Sequence, residues 1–237
     1  MMDGITIVYA QMPGVLRGSM ALRAVVFDLD YTLAVVSSDR STLLAEASKS
    51  AGVPVEFSRE EYGAAHQRAH AHETRGPIFA ELLKEGDAGE ALAEAYRNAI
   101  AESLEPIDGA ESLIAALEAE YAVGLLTNGP IVAQRDKLQT LGWEGRFDAT
   151  VITGELEKGK PHPEAFEAIL EALDVAPAEA VYVGDSVEAD VAGASEVGIP
   201  VVQVLYPGGP EPDPRADAHI ERRDLVRDLP ELVAQFE

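Results

Sequence analysis

The chain is predicted to adopt an α/β fold, a doubly wound parallel sheet with an inserted all-helical segment, on three observations. First, Leu22 to Phe27 is an unbroken apolar, β-branched run that stops at Asp28, as suits a strand buried on both faces. Second, from about Ser37 to Ser103 Ala, Glu, Arg and Leu recur at helical spacing, punctuated by Pro54, Gly76-Pro77 and Gly86, with no strand-like run. Third, after Pro106 short apolar runs alternate regularly with amphipathic stretches, the pattern of right-handed βαβ units.

In order, the alternation predicts a helix over Ala110 to Glu120, a strand over Tyr121 to Leu126, a helix over Ile131 to Leu141 and a short strand at Ala149 to Ile152. A helix over Pro163 to Leu173, a strand over Ala180 to Val183, a helix over Glu188 to Val197 and a strand over Pro200 to Val204 follow. Pro207 to Pro214 is too rich in Pro and Gly for either element and reads as a stiff loop; Ala218 to Ile220 adds a last short strand and Leu225 to Phe236 a closing helix. The expected organisation is a sheet core from 20–36 and 105–237, a helical insert over 37–104, and an N-terminal extension over 1–19 with no assigned role, Met20 opening the segment that reads as a natural beginning.

Of the 237 residues 47% are hydrophobic and 25% charged, ordinary for a chain with one good core. The charge is unusual: 42 acidic against 18 basic residues give −24. Such a surface lacks the clustered cations that nucleic acid or an anionic membrane would need, so neither is an expected partner. Scarce lysine on an acidic surface fits a protein kept soluble in molar salt, where the Debye length falls to about 3 Å, and predicts a halophilic source; an acidic protein of an ordinary cytosol is the alternative. The absence of cysteine removes disulfides, thiolate metal sites and thiol nucleophiles. No apolar run approaches the ~20 residues of a membrane span, and the expected location is cytoplasmic.

Ligands of open parallel sheets bind outside the carboxyl ends of the strands. Four segments fall there: Asp28-Leu29-Asp30-Tyr31-Thr32-Leu33, Thr127-Asn128-Gly129, Lys158 to Pro163, and Gly184-Asp185-Ser186 with Asp190 five residues beyond Asp185. Asp28, Asp30 and Asp185 brought together would repel one another unless a hard cation sat among them, and Mg²⁺, with its oxygen preference, is the natural occupant. Thr127 and Asn128 can donate to phosphate oxygens, and Lys160 can neutralise the charge a carboxylate nucleophile must approach. The combination suits phosphoryl transfer. Taken singly the residues have plainer readings: Asp28 as a helix cap, Asn128-Gly129 as a turn, Asp190 as a first-turn acid.

In this order the four segments resemble the motifs of the haloacid dehalogenase superfamily: D-x-D-x-T-[LV] at Asp28 to Leu33, a hydrophobic strand ending in Thr127, Lys160-Pro161, and G-D-[ST]-x-x-x-D at Gly184 to Asp190. The resemblance implies a Rossmann-like core with a helical cap inserted after the first motif. It implies Asp28 as nucleophile and metal ligand, and Asp30 as general acid and base with its main-chain carbonyl on Mg²⁺. Thr127 and Lys160 would bind phosphate with help from Asn128. Asp185 would complete the metal site, and Asp190 would reach the metal through water or orient Lys160; Lys160, which precedes Pro161, is preferred over Lys158. Because Asp30 follows two residues after the nucleophile, the resemblance points to a phosphatase acting on a small phosphate monoester, phosphoglycolate-like or nucleotide-like, and away from a dehalogenase. A phosphomutase and a non-catalytic phosphate-binding or scaffold protein are the alternatives. Oligomeric state is not legible.

In the insert His66, His70 and Glu73 are spaced to share one helical face, with His72 nearby. They are read as a solvated face; the rivals to that reading are substrate selection and, behind it, a Zn²⁺ site. His162, between two prolines, is read as a loop residue near the site.

Overall fold

The computed structural model describes residues 21–68 and 72–237; the predicted extension over 1–19 lies outside them, as does His70. The core is a six-stranded parallel sheet in the order β5-β4-β1-β6-β7-β8, formed by β1 (Ala24–Phe27), β4 (Ala122–Thr127), β5 (Ala149–Ile152), β6 (Ala180–Gly184), β7 (Val201–Leu205) and β8 (Ala218–Glu221). Val25 faces Val123 on one side and Val181 on the other, so β1 has two parallel neighbours. From β1 the chain moves outward through β4 to β5 and then returns to β6 across β1, which places the switch point of the sheet at the carboxyl ends of β4, β1 and β6.

The period-two alternation of each strand builds two cores. Val25, Phe27, Val123, Leu125, Val181 and Val183 point to the face covered by α5 (Ala110–Glu118) and α9 (Leu225–Val233), where Leu113, Ile114, Leu229 and Val233 close over them. Val26, Leu126 and Tyr182 point to the other face, against Phe166, Ile169 and Leu173 of α7 (Pro163–Leu173). Gly124 is what lets α7 approach: a Cβ there would lie 2.9 Å from Leu173. Pro163 opens α7 because its missing N–H costs nothing in the first turn, and His162, expected as a loop residue, is the cap of that helix, its Nδ1 accepting from Glu164 N.

Two short strands absent from the sequence reading, β2 (Ala34–Val36) and β3 (Leu104–Pro106), pair antiparallel. Between them run α1 (Arg40–Ala51), α2 (Arg59–Arg68), α3 (Gly76–Leu83) and α4 (Gly86–Ser103), so the helical segment springs from a two-stranded ribbon and not from bare loops. Asp39 starts α1 by accepting from Ser41 N and Thr42 N, and Gly52, at φ 65°, ends it. These helices have their own core of Leu43, Ala47, Phe79, Leu92, Tyr96 and Ile100, in which Phe79 is enclosed by the rings of Phe57, Tyr62 and Tyr96 at 5.3–6.1 Å. Burial of each such ring stabilises by about 1.5–3 kcal/mol.

The expected helix over Glu188 to Val197 is in two pieces: a π turn over Val187–Ala192 followed by α8 (Gly193–Glu196). Of the stripe expected from His66, His70 and Glu73, His70 lies outside the described residues; α2 is described as far as Arg68, and Glu73 sits in a bend, not in a helix. The main chain of that bend has a different task. The carbonyls of His72 and Glu73 accept from Ile131 N and Val132 N, the unpaired first donors of α6 (Ile131–Leu141), and so tie the helical segment to the sheet edge.

Candidate active site

Asp28 leaves β1, Thr127 ends β4, and Asp185 leaves β6, so three adjacent strands deliver them to one edge. The ladder extends one step past β1, Asp28 N donating to Val183 O at 2.9 Å, which fixes the start of the following turn. Lys160 arrives from the segment before α7 with its side chain 1% exposed. Its ammonium donates to Asp28 Oδ1 (2.7 Å), Asp190 Oδ1 (2.6 Å), Tyr182 OH (2.8 Å) and Leu126 O (3.1 Å). Burial works against that charge, but Asp190 and then Asp28 outweigh it and hold the lysine protonated.

The π turn explains Asp190. Its extra backbone residue brings the carboxylate against the end of β6, where Oδ1 accepts from Lys160 and Tyr182 and Oδ2 from Ser186 N. Gly184 makes room for it, since a Cβ at that position would lie 2.6 Å from the Asp190 carboxyl carbon. Asn128 is engaged at both ends of its amide with the main chain of Lys160: Nδ2 donates to Lys160 O and Oδ1 accepts from Lys160 N, each at 2.9 Å. Here Asn128 holds the lysine-bearing segment. Thr127 is fully buried, its hydroxyl donating to Gln134 Oε1 at 3.3 Å.

Asp30 lies on the turn after β1, where Tyr31 takes the left-handed region at φ 62°, a strained conformation for a bulky residue. Tyr31 is propped by stacking on Tyr206 at 5.7 Å and by Arg222 donating to its carbonyl. Tyr206 in turn donates to Asp185 Oδ2 at 3.0 Å. Asp30 does not join the Lys160 cluster; Oδ2 accepts from Lys137 Nζ of α6 at 2.5 Å. Burial pushes Asp30 up, but Lys137 and then Arg40 prevail and hold it at about 2.

A protein-family model of haloacid dehalogenase-like hydrolases matches residues 22–198, well over half of the sequence. The chain belongs to that family. The chain is 29% identical to a glyceraldehyde 3-phosphate phosphatase of Methanopyrus kandleri over 229 residues, covering 88% of this chain and 98% of the relative. A phosphoserine phosphatase of Thermus thermophilus is 41% identical over 149 residues, 59% of each chain. A crystal structure of a putative beta-phosphoglucomutase from Thermotoga maritima superposes with a TM-score of 0.69 at 22% identity, over 89% of this chain and all of that one.

In this haloacid dehalogenase-like hydrolase, Asp28, Asp185 and Asp190 offer carboxylate oxygens within 4.8 Å of one another, all buried. Lys160 supplies one positive charge, which leaves two negative charges uncompensated, the complement of one divalent cation. The donors are all oxygens, the set that Mg²⁺ prefers. The crowding shows in protonation: burial first, then the neighbouring acids against the pull of Lys160, raises Asp28 well above the usual carboxylate range. Burial and then Asp190 raise Asp185 to about 7.

Asp185 therefore binds a proton in the fold that it would release when unfolded between about pH 4 and 7. That contribution is full below pH 4 and lost as pH rises through 7. Metal-free protein should accordingly lose about 3 kcal/mol of stability between pH 5 and 8, Asp28 adding in the same sense, and excess Mg²⁺ should remove most of the slope. Urea melts across that range with EDTA and with Mg²⁺ check this; identical slopes would count against a divalent site.

Lys137, Tyr182, Gln134 and Tyr206 are site residues that the motifs do not name. Two of them left a trace: Gln134 and Lys137 fall with Ala133 and Leu138 on the buried face of α6, where a polar pair is unexpected. No helix among the described residues is long and apolar enough to cross a membrane.

Proposed function

We propose that this chain is a Mg²⁺-dependent phosphatase of small phosphate monoesters that works through an aspartyl-phosphate on Asp28. The observation that carries the reading is the convergence of a buried, lysine-contacted Asp28 with Asp185 and Asp190 at one sheet edge. An Asp28 oxygen attacks phosphorus, the bond to the leaving oxygen breaks, and Asp30 supplies the proton that makes it an alcohol. Water then attacks the acyl phosphate, Asp30 takes its proton, and inorganic phosphate leaves with Asp28 restored. Thr127 and Lys160 hold the phosphoryl oxygens, with Asn128 positioning Lys160. Asp28, Asp185 and the Asp30 main-chain carbonyl would hold the cation, and Asp190, whose Oδ1 accepts from Lys160, orients that lysine and would reach the cation through water. When bound, Mg²⁺ neutralises charge developing on the phosphoryl group.

Paired with Lys137, Asp30 is an ionised base. The proton-donor role requires the bound ester to part them, and the 37–104 segment acts as a cap over the 20–36 and 105–237 core that carries the substrate to this point. Phosphate release from 4-nitrophenyl phosphate in molar KCl tests the reading. Turnover should need Mg²⁺ and stop with EDTA; folded protein that releases no phosphate from this or any small alkyl phosphate with Mg²⁺ present would overturn it.

A further inference from the structure

Between the helical segment and the sheet edge lies a cavity of about 580 Å³ whose lining includes Asp30, Arg40, Arg75, Tyr96, Asn128 and Gln134. Among the described residues its charged lining is two arginines and one aspartate, and that aspartate already has Lys137. In a chain with 42 acidic and 18 basic residues this is a local reversal of sign. Arg75 lies between α2 and α3 and is 5% exposed. Its Nε and Nη1 have no hydrogen-bond partner among the described residues, and its guanidinium carbon stands 5.8 Å from the centre of the Tyr96 ring. Arg40, at the first turn of α1, stands over Tyr31, next to Asp30 in sequence. Buried guanidinium N–H groups left unpaired are costly, and Nε and Nη1 each keep a donor that an anionic oxygen could take.

The position of Asp30 says which part of a substrate reaches this edge. Lys160 and Thr127 are not in the cavity lining, whereas Asp30, which serves the leaving oxygen in the phosphatase reading, is. The cavity therefore receives the leaving alcohol, and Arg75 meets its far end. We propose that the substrate carries a second anionic group, a carboxylate or a second phosphate, on its leaving alcohol, and that Arg75 with Arg40 selects it. The inference rests on the phosphatase reading and deepens it.

Three esters of one chain length provide the test: 3-hydroxypropyl phosphate, 3-(phosphonooxy)propanoate and propane-1,3-diyl bisphosphate. In the unaltered protein kcat/KM for one or both doubly anionic esters should exceed that for the hydroxyl ester by roughly 10- to 100-fold, chiefly through KM. The preferred member identifies the group as carboxylate or phosphate. Arg75→Met should collapse the ratio towards one, and Arg75→Lys, which keeps charge without the fork, should restore part of it. Equal kcat/KM for the three esters in the unaltered protein, or a preference that survives Arg75→Met, overturns the inference while leaving the phosphatase reading intact. If none is hydrolysed, release of phosphate from 4-nitrophenyl phosphate tells whether the phosphatase reading stands, and dissociation constants of the same three molecules by calorimetry decide the inference, equal values refuting it.

Discussion

Asp28→Asn should lower phosphate release by about 10⁴-fold or more and leave the protein at least as stable as before. The rate loss follows because an amide has no nucleophilic oxygen to give, and no other carboxylate stands where Asp28 does; loss of a nucleophile from a cooperating set removes nearly all of the chemical acceleration. The stability expectation comes from the surroundings. Burial first, and then Asp190 and Asp185, raise the pKa of Asp28 against the pull of Lys160. Removing its charge relieves that repulsion, while the Asn oxygen still accepts from Lys160 and Asp190 still balances the ammonium. A functional residue differs from a structural one in this opposition of effects. Phosphate assays and urea melts of both proteins report it, and an Asn variant with more than one hundredth of the original rate would remove Asp28 from the nucleophile's place.

The parallel core was legible because its strands are buried on both faces and so read as unbroken apolar runs closed by polar residues; the helix over Ile131–Leu141 and the strand at Ala149–Ile152 have the same bounds in sequence reading and structure. The ribbon was not, since three-residue strands at Ala34–Val36 and Leu104–Pro106 carry no periodicity and lie far apart in the chain. Asp28, Thr127, Lys160 and Asp185 could be found because strand ends and motif spacing both point to them. Lys137 could not be assigned to Asp30 by spacing, because the contact spans 107 positions. Tyr182 hides inside an apolar strand, where an aromatic ring is ordinary core and only the fold reveals that its hydroxyl joins Lys160 to Asp190. Arg75 reads as the edge of Gly76-Pro77 punctuation, and its importance is wholly tertiary. The His66, His70 and Glu73 stripe assumed a helix reaching Glu73, and Glu73 lies in a bend instead, a feature of the chain's path that spacing alone does not carry.

Lys160→Met should have the largest effect on stability, about 3–5 kcal/mol at pH 8, together with loss of activity by at least about 10²-fold. The ammonium is the common partner of Asp28, Asp190, Tyr182 and the Leu126 carbonyl, so four acceptors share its three protons. Methionine fills the volume but leaves two buried carboxylates without a counter-charge, and breaking a buried pair from one side costs more than the pair was worth intact. The sign of the pH dependence follows. Burial already holds the Asp28 carboxyl above the usual range, and loss of Lys160 removes the charge that opposes this, so the variant would be least impaired below about pH 4 and would weaken steadily as pH rises. Excess Mg²⁺ would restore part of the lost charge balance at pH 8, but not the activity, because the lysine that Asn128 positions at the phosphoryl group would be gone. Urea melts at pH 5 and pH 8, with and without Mg²⁺, measure all of this. A variant equally stable at both pH values, and as stable as the parent at pH 8, would mean that Asp28 and Asp190 do not share a buried charge balance through Lys160.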